Sequence, residues 1–284
     1  AALALVGCEA SRNRTDETAN SQQPKALRCP ANAVAGTTVS PIAWSRYGKL
    51  TLPSDEDGKK GPDEIAAADF GSYSSEFFHR AKPGEVTAGG YRAGGGESVF
   101  WAPVDGGATT KNAKYVRSEF REQIEPGSDS ANWPLTGSHV MRGTVLVSLL
   151  PTPRTPDDNV KTVIAQIHGV ETSPPIKLQV SGSDDGSTQV YAIYNARPKA
   201  GDTSNSKKLK IGMCTPIQYE IRVADGVLTT TVNGEVLDSR DLKAEWSAET
   251  FYFKAGNYVQ NSPKNATGAG EVVYSALAIS HQQP

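Results

Sequence analysis

The sequence predicts an all-β fold, a sandwich of antiparallel sheets. Three observations point there. Apolar and polar residues alternate with period two over many short stretches, the pattern of strands with one buried face. The 284 residues include 27 glycines and 18 prolines, clustered between those stretches as turns require. Asp225-Gly226 and Asn233-Gly234 bracket the run Val227–Val232, and both dipeptides favour tight hairpin turns. Many short strands with such punctuation pack as two sheets around one core. There is no internal repeat and no helical pattern of useful length.

The first residues read differently. Ala1 to Cys8 resembles the end of a secretory apolar segment, too short to span a membrane. Leu5-Val6-Gly7-Cys8 also resembles a bacterial lipobox, with Cys8 as the lipidation site. An ordinary signal peptide that happens to contain Cys8 explains it about as well. Residues 9–28 are polar and read as a disordered tether. The expectation is an exported protein, secreted or held in the periplasm or at the outer membrane as a lipoprotein. Residues 1–28 would be leader and tether, and 29–284 one folded domain.

From there the elements follow in order. Tyr47 to Leu52 is strand-like, and Asp63 to Phe70 reads as a turn of helix. Ser98 to Pro103 is a strand stopped by proline. Ser138 to Leu150 is a long strand, apolar at Val140, Val145, Val147 and Leu149. Lys161 to Val170, Ile176 to Val180, Gln189 to Asn195, Tyr219 to Val223, Val227 to Val232, Thr250 to Gln260 and Val272 to Ile279 complete the set. The polar loops Glu125–Thr136 and Arg197–Lys208 are candidate lids, although ordinary surface loops look the same. The four tryptophans are expected in the core, with Trp133 a possible sugar platform because it falls in a candidate lid.

Bulk properties narrow the function. A formal net charge of −2 and a pI near 6.2 argue against a nucleic-acid binder. Local basic patches could still hold an acidic polysaccharide. Four histidines, none ligand-spaced with a cysteine, make a metal site or other cofactor unexpected. Of three cysteines, Cys29 and Cys214 remain once Cys8 is lipidated or removed, and an exported domain would pair them.

Three segments carry the chemistry. In a strand, every second residue shares a face. Arg117-Ser118-Glu119-Phe120-Arg121 therefore puts Arg117, Glu119 and Arg121 together, followed by Gln123. Gln166-Ile167-His168 pairs Gln166 with His168. The stretch from Tyr252 to Gln260 aligns Tyr252, Lys254, Gly256, Tyr258 and Gln260. If these faces line one groove, it holds cations, an imidazole, amides and phenols with one acid, a surface for gripping a polyanion and moving a proton on it. A lone histidine in a strand is more often an ordinary partly buried residue, and only the combination outweighs that reading.

Taken together, these segments resemble the three signature regions of alginate lyases of polysaccharide lyase family 7, R-[ST]-E-[LV]-R, Q-[IV]-H and Y-F-K-A-G-x-Y-x-Q. The second and third match in full, and the first departs only at Phe120. The resemblance implies a jelly roll with a concave substrate groove and cleavage of a 1,4-linked uronate by β-elimination. It implies Arg117, Gln166, His168 and Tyr258 as the catalytic group. Arg117 and Gln166 would neutralise the carboxylate. His168 would be the base for guluronate, and Tyr258 would donate to O4 and serve as base for mannuronate. Glu119 would orient the flanking arginines. Arg121 and Lys254 would bind neighbouring carboxylates, and both can lower the Tyr258 pKa. Tyr252, Gln260 and Lys177 would contact sugars. Gln179 also alternates toward the groove, although a plain solvent-facing strand accounts for Lys177 and Gln179 equally well. The implied partner is alginate, the implied action is endo and metal-independent, and the chain is expected to be a monomer. Ile167 leans toward guluronate or mixed blocks. Nothing in the sequence explains Asn257, where Ile or Val is common.

Other readings remain at this point. A non-catalytic carbohydrate-binding jelly roll would not need Gln166, His168 and Tyr258 together. A glycoside hydrolase needs two carboxylates, and these faces offer only Glu119. A lyase on another polyuronate such as glucuronan would have similar groove chemistry.

Overall fold

The computed structural model describes residues 24–31, 33–34, 39, 48–111, 113–170, 172–182, 187–199 and 201–283. The lipobox with Cys8, residues 9–23, Trp44 and Tyr47 lie outside the described residues. In chain order the strands are β1 (Gly48–Thr51), β2 (Glu64–Ala66), β3 (Phe78–Arg80), β4 (Ser98–Pro103), β5 (Arg117–Glu122) and β6 (Ser138–Leu149). They continue with β7 (Thr152–Pro153), β8 (Val160–Gly169), β9 (Ile176–Gly182), β10 (Thr188–Asn195), β11 (Thr203–Asn205) and β12 (Leu209–Ile211). The last are β13 (Ile217–Ala224), β14 (Val227–Val232), β15 (Glu235–Asp241), β16 (Phe251–Val259), β17 (Ala266–Thr267) and β18 (Ala269–Gln282).

All but β7 and β17, which pair with each other, form a jelly roll of two antiparallel sheets. Among the described residues, one sheet runs β11-β10-β9-β8-β16-β5-β1-β2, with β12 also on β10. The other runs β15-β14-β13-β6-β18-β4-β3. The alternation explains the layering. Phe120, Ile164, Ala165, Ile167, Phe251, Phe253 and Ala255 point from the first sheet into a core shared with Phe100, Val145, Val147, Val272 and Tyr274 of the second. Fully burying the valine, isoleucine and phenylalanine side chains among these contributes about 1.5–3 kcal/mol each.

Several expectations need correction. Within Asp63 to Phe70 the expected turn of helix is present only as one 3-10 turn over Ala67–Asp69, and it follows a short edge strand, β2, in which Ile65 pairs with Leu50. Leu27, in the expected tether, packs on the core and its carbonyl accepts Leu150 N–H at 2.9 Å. Trp133 is buried, stacks on His139 and donates Nε1–H to Glu122, so it is core and not a sugar platform. Arg197–Lys208 is partly sheet, since β11 pairs with β10.

Asn257 now has a physical account. It faces inward from β16 and is fully buried. Its Nδ2 donates to Phe100 O at 3.3 Å and Gly270 O at 2.6 Å, both in the opposite sheet. Its Oδ1 accepts from Thr162 Oγ1 at 2.7 Å. The side chain is a hydrogen-bonded strut between the sheets beneath the groove. Cys29 and Cys214 are joined in a disulfide across 185 residues, beside a second cluster with Val99, Leu146 and Val273. No helix among the described residues is long and apolar enough to cross a membrane.

Candidate active site

Strand pairing brings the three segments side by side. In the sheet order β16 lies between β8 and β5. The register sets Tyr258 opposite Arg117, Lys254 opposite both Arg121 and Gln166, and Tyr252 opposite His168. A β-bulge makes this possible. Pairing between β16 and β8 slips by one residue between Ala255 and Tyr258. Gly256 sits in that slip at φ 149°, where a Cβ would lie 2.8 Å from the Glu119 Cα. Only glycine allows so close an approach between β16 and β5. This face of the sheet carries an open groove of about 940 Å³. Arg117, Arg121, Gln166, His168, Lys177, Tyr252, Lys254 and Tyr258 all line it.

Glu119 is the electrostatic centre of the floor, and it is buried. Its Oε1 accepts from Gln166 Nε2 at 2.6 Å. Its Oε2 pairs with Lys254 Nζ and lies 3.7 Å from Arg117 Nη1. The expected bridge between Glu119 and both arginines is therefore corrected. Glu119 holds Arg117, Lys254 and Gln166, whereas Arg121 belongs to Asp129. Gln166 is fixed by one N–H, which leaves its second amide hydrogen for a ligand. Lys254 is buried, and that burial pushes its ammonium down to about 8 despite the carboxylate beside it.

His168 and Tyr258 carry complementary protonation states. His168 Nδ1 lies 2.6 Å from Gly169 O, which can only accept, so Nδ1 carries the proton and Nε2 holds a lone pair. Burial, with Lys254 and Arg117 nearby, pushes the imidazole down to about 4, so it is neutral at neutral pH. Its ring stacks on Tyr252, with centroids 5.4 Å apart. Tyr258 is pushed the other way. Burial raises its phenol, opposed by Arg117, whose guanidinium lies 4.3 Å over the ring, and by Gln260. Tyr258 is thus protonated at neutral pH, and the main groups that oppose its burial are Arg117 and Gln260 rather than the expected Arg121 and Lys254.

Two other expected residues lie outside the groove lining. Gln260 points its amide toward the carbonyls of Tyr258 and Val259 and also reaches the Tyr258 phenol. Gln179 donates to Tyr191 Oη at 2.5 Å and is not in the lining. Loop residues in the groove lining include Thr110, Ala113, Val170 and Thr172 to Pro174, and none from Arg197–Lys208. Of Glu125–Thr136, Asp129 lines the groove. Lys49 and Asp129 were not visible as site residues. Lys49 alternates correctly in a short strand, a signal too weak to use, and Asp129 is carried by an irregular loop. Among the described residues, the carboxylates of Asp55, Asp57 and Asp63 lie within 4.8 Å of one another, outside the groove lining.

Comparison with known proteins identifies the family and the fold. The alginate lyase family model matches residues 48–281. An alginate lyase from Klebsiella pneumoniae is 24% identical over 84% of this chain and 88% of its own. The solved alginate lyase A1-II', of polysaccharide lyase family 7, is 28% identical with a TM-score of 0.68, covering 84% of this chain and 96% of that one. A form of A1-II' with histidine-to-asparagine and tyrosine-to-phenylalanine changes, in complex with a substrate (GGMG), is 27% identical with a TM-score of 0.68, covering 86% and 98%. An alginate lyase structure from Pseudomonas aeruginosa is 27% identical with a TM-score of 0.66, covering 84% and 99%.

Proposed function

The chain belongs to the alginate lyase family, and from that premise we propose that it cleaves alginate by β-elimination within the polymer. The observation that carries the assignment of roles is the pairing of a neutral His168, with Nε2 free of protein partners among the described residues, and a protonated Tyr258 across the same groove.

The reaction removes the C5 proton of a uronate and breaks the C4–O4 bond. Arg117 and the second amide hydrogen of Gln166 face the carboxylate, drawing off the negative charge that builds as the proton leaves. His168 Nε2 takes the proton. Tyr258 gives its own to O4 as the bond breaks, leaving a 4,5-unsaturated end. Cationic and amide groups meet the charge demand, which supports action without a divalent metal.

Guluronate and mixed blocks are the favoured substrate. Guluronate carries its C5 proton on the face opposite to that of mannuronate, and His168 is the base assigned to it. Mannuronate requires Tyr258 itself to act as base, and the raised pKa makes the tyrosinate scarce. The groove is lined from β1 across to β9, which suits internal cleavage of a long chain. We also take the protein to act outside the cytoplasm, where its disulfide persists.

Substituting His168 by Asn tests the assignment. Cleavage of polyguluronate should fall at least tenfold more than cleavage of polymannuronate. Equal losses on both would remove His168 from the base role.

A further inference from the structure

Strand register aligns five groove residues in one row across the sheet. Lys49 on β1 faces Arg121 on β5, Arg121 faces Lys254 on β16, Lys254 faces Gln166 on β8, and Gln166 faces Lys177 on β9. Neighbouring strands lie about 4.8 Å apart, so the row spans roughly 19 Å. It carries four cations and an amide, one group per strand, at right angles to the strands. A polyuronate laid along it meets a carboxylate-binding group at every step.

The two ends of this row differ in charge. Lys177 is half-buried, and burial is the one influence on its pKa, which is lowered. It has no ion-pair partner among the described residues. At the other end the cations are already occupied. Asp129 Oδ2 lies 2.7 Å from Lys49 Nζ, and Oδ1 lies 3.0 Å from Arg121 Nη1. Oδ1 also accepts from Gln123 Nε2 at 2.8 Å. Arg121 Nη2 donates to Asp129 O at 2.9 Å, and Lys49 makes a second pair with Glu64 at 2.7 Å. The Asp129 side chain is 55% exposed, above Lys49 at 14% and Arg121 at 9%. The acid sits on the solvent side of the cations, where a ligand would arrive.

We propose that Asp129 is an internal stand-in for a uronate carboxylate, which closes the Lys49–Arg121 end of the row and makes polymer binding one-sided, anchored at Lys177. It offers the charge, the two oxygens and the approach of a substrate carboxylate. It therefore competes with the sugar for that subsite and sets which side of the scissile bond the enzyme grips. This inference rests on the lyase reading of the groove and adds a specificity-determining residue to it.

The test uses the full chain with oligoguluronates of increasing length. Turnover by the parent chain reads the lyase activity itself, and ratios between variants read the gate. Asp129→Asn should lower KM for long oligomers about three- to tenfold, leave kcat within about twofold, and shift the cleavage position by one residue. Adding Lys49→Gln should remove most of that gain. Lys177→Gln should raise KM tenfold or more in either background. A parent chain that turns over normally, with Asp129→Asn raising KM or leaving both KM and the cleavage position unchanged, would overturn the proposal and make Asp129 a loop pin. A melting scan of each variant identifies loss of fold, and Asp129→Ser, which removes the charge with a smaller polar side chain, must then show the same fall in KM or the proposal fails.

Discussion

Gln166 donates its amide to Glu119 at 2.6 Å, so the group expected to grip the sugar carboxylate is itself gripped by the floor's buried acid. Glu119 thereby orients Gln166, holds Lys254 and faces Arg117.

Removing one member of this buried set leaves an uncompensated charge. Lys254→Met should destabilise the fold by about 3–5 kcal/mol. Glu119→Gln should cost a similar amount and lower kcat tenfold or more. The double variant Glu119→Gln/Lys254→Met should recover most of the stability but not the activity. Urea unfolding of all four proteins checks this, and additive losses in the double variant would contradict it.

The His168 shift sets a pH dependence. Its folded pKa, about 4, lies below the ordinary value of 6.5. Above 6.5 both states are neutral. As pH falls from there toward 4, the unfolded chain takes up a proton that the folded chain refuses. Stability is therefore lost on acidification, by up to roughly 1.4 kcal/mol per pH unit in that window. The parent should lose more stability than His168→Asn between pH 7 and pH 5. The acid limb of kcat/KM should likewise fall near pH 4, where an unperturbed histidine would place it near 6.5.

Tyr258→Phe retains the ring beneath Arg117 and removes the proton donor. Turnover should fall by at least a thousandfold while affinity for the polymer stays within about threefold. Substantial residual turnover would transfer the acid role elsewhere.

Asn257→Val removes the strut between sheets and leaves Thr162 Oγ1 without its buried acceptor. Unpaired buried groups cost about 1–3 kcal/mol each. The variant should lose about 2 kcal/mol or more in urea unfolding. Thr162→Val in the same chain should soften the loss.

Reduction of Cys29–Cys214 should lower stability by about 2–5 kcal/mol, since the bridge closes a very long loop. The activity of the reduced, folded enzyme should be unchanged, because the bridge sits beside the cluster containing Val99 and Leu146, apart from the groove lining.

The long strands and the floor of the site were legible because both rest on period two. β4 matches its expected limits, and β6, β8 and β16 differ by a residue or so at their ends. Arg117, Gln166, His168, Tyr252, Lys254 and Tyr258 meet in the groove because each lies on the alternating face of such a strand. The short edge strands β2, β3, β11 and β12 carry too few residues to show a period. Partner choice was illegible for a different reason. Glu119 sits between two arginines in sequence, yet Arg121 turns to Asp129 and Glu119 to Lys254, because those pairings depend on loops and neighbouring strands. Asn257 looked anomalous because its partners, Phe100 O and Gly270 O, belong to the other sheet.

The most direct test is ultraviolet absorbance during incubation with polyguluronate, polymannuronate and a glucuronan, each with chelator present. The proposed mechanism predicts rising absorbance from a conjugated unsaturated uronate, fastest on polyguluronate. New reducing ends or falling viscosity without that absorbance would mean hydrolysis and would contradict elimination by His168 and Tyr258.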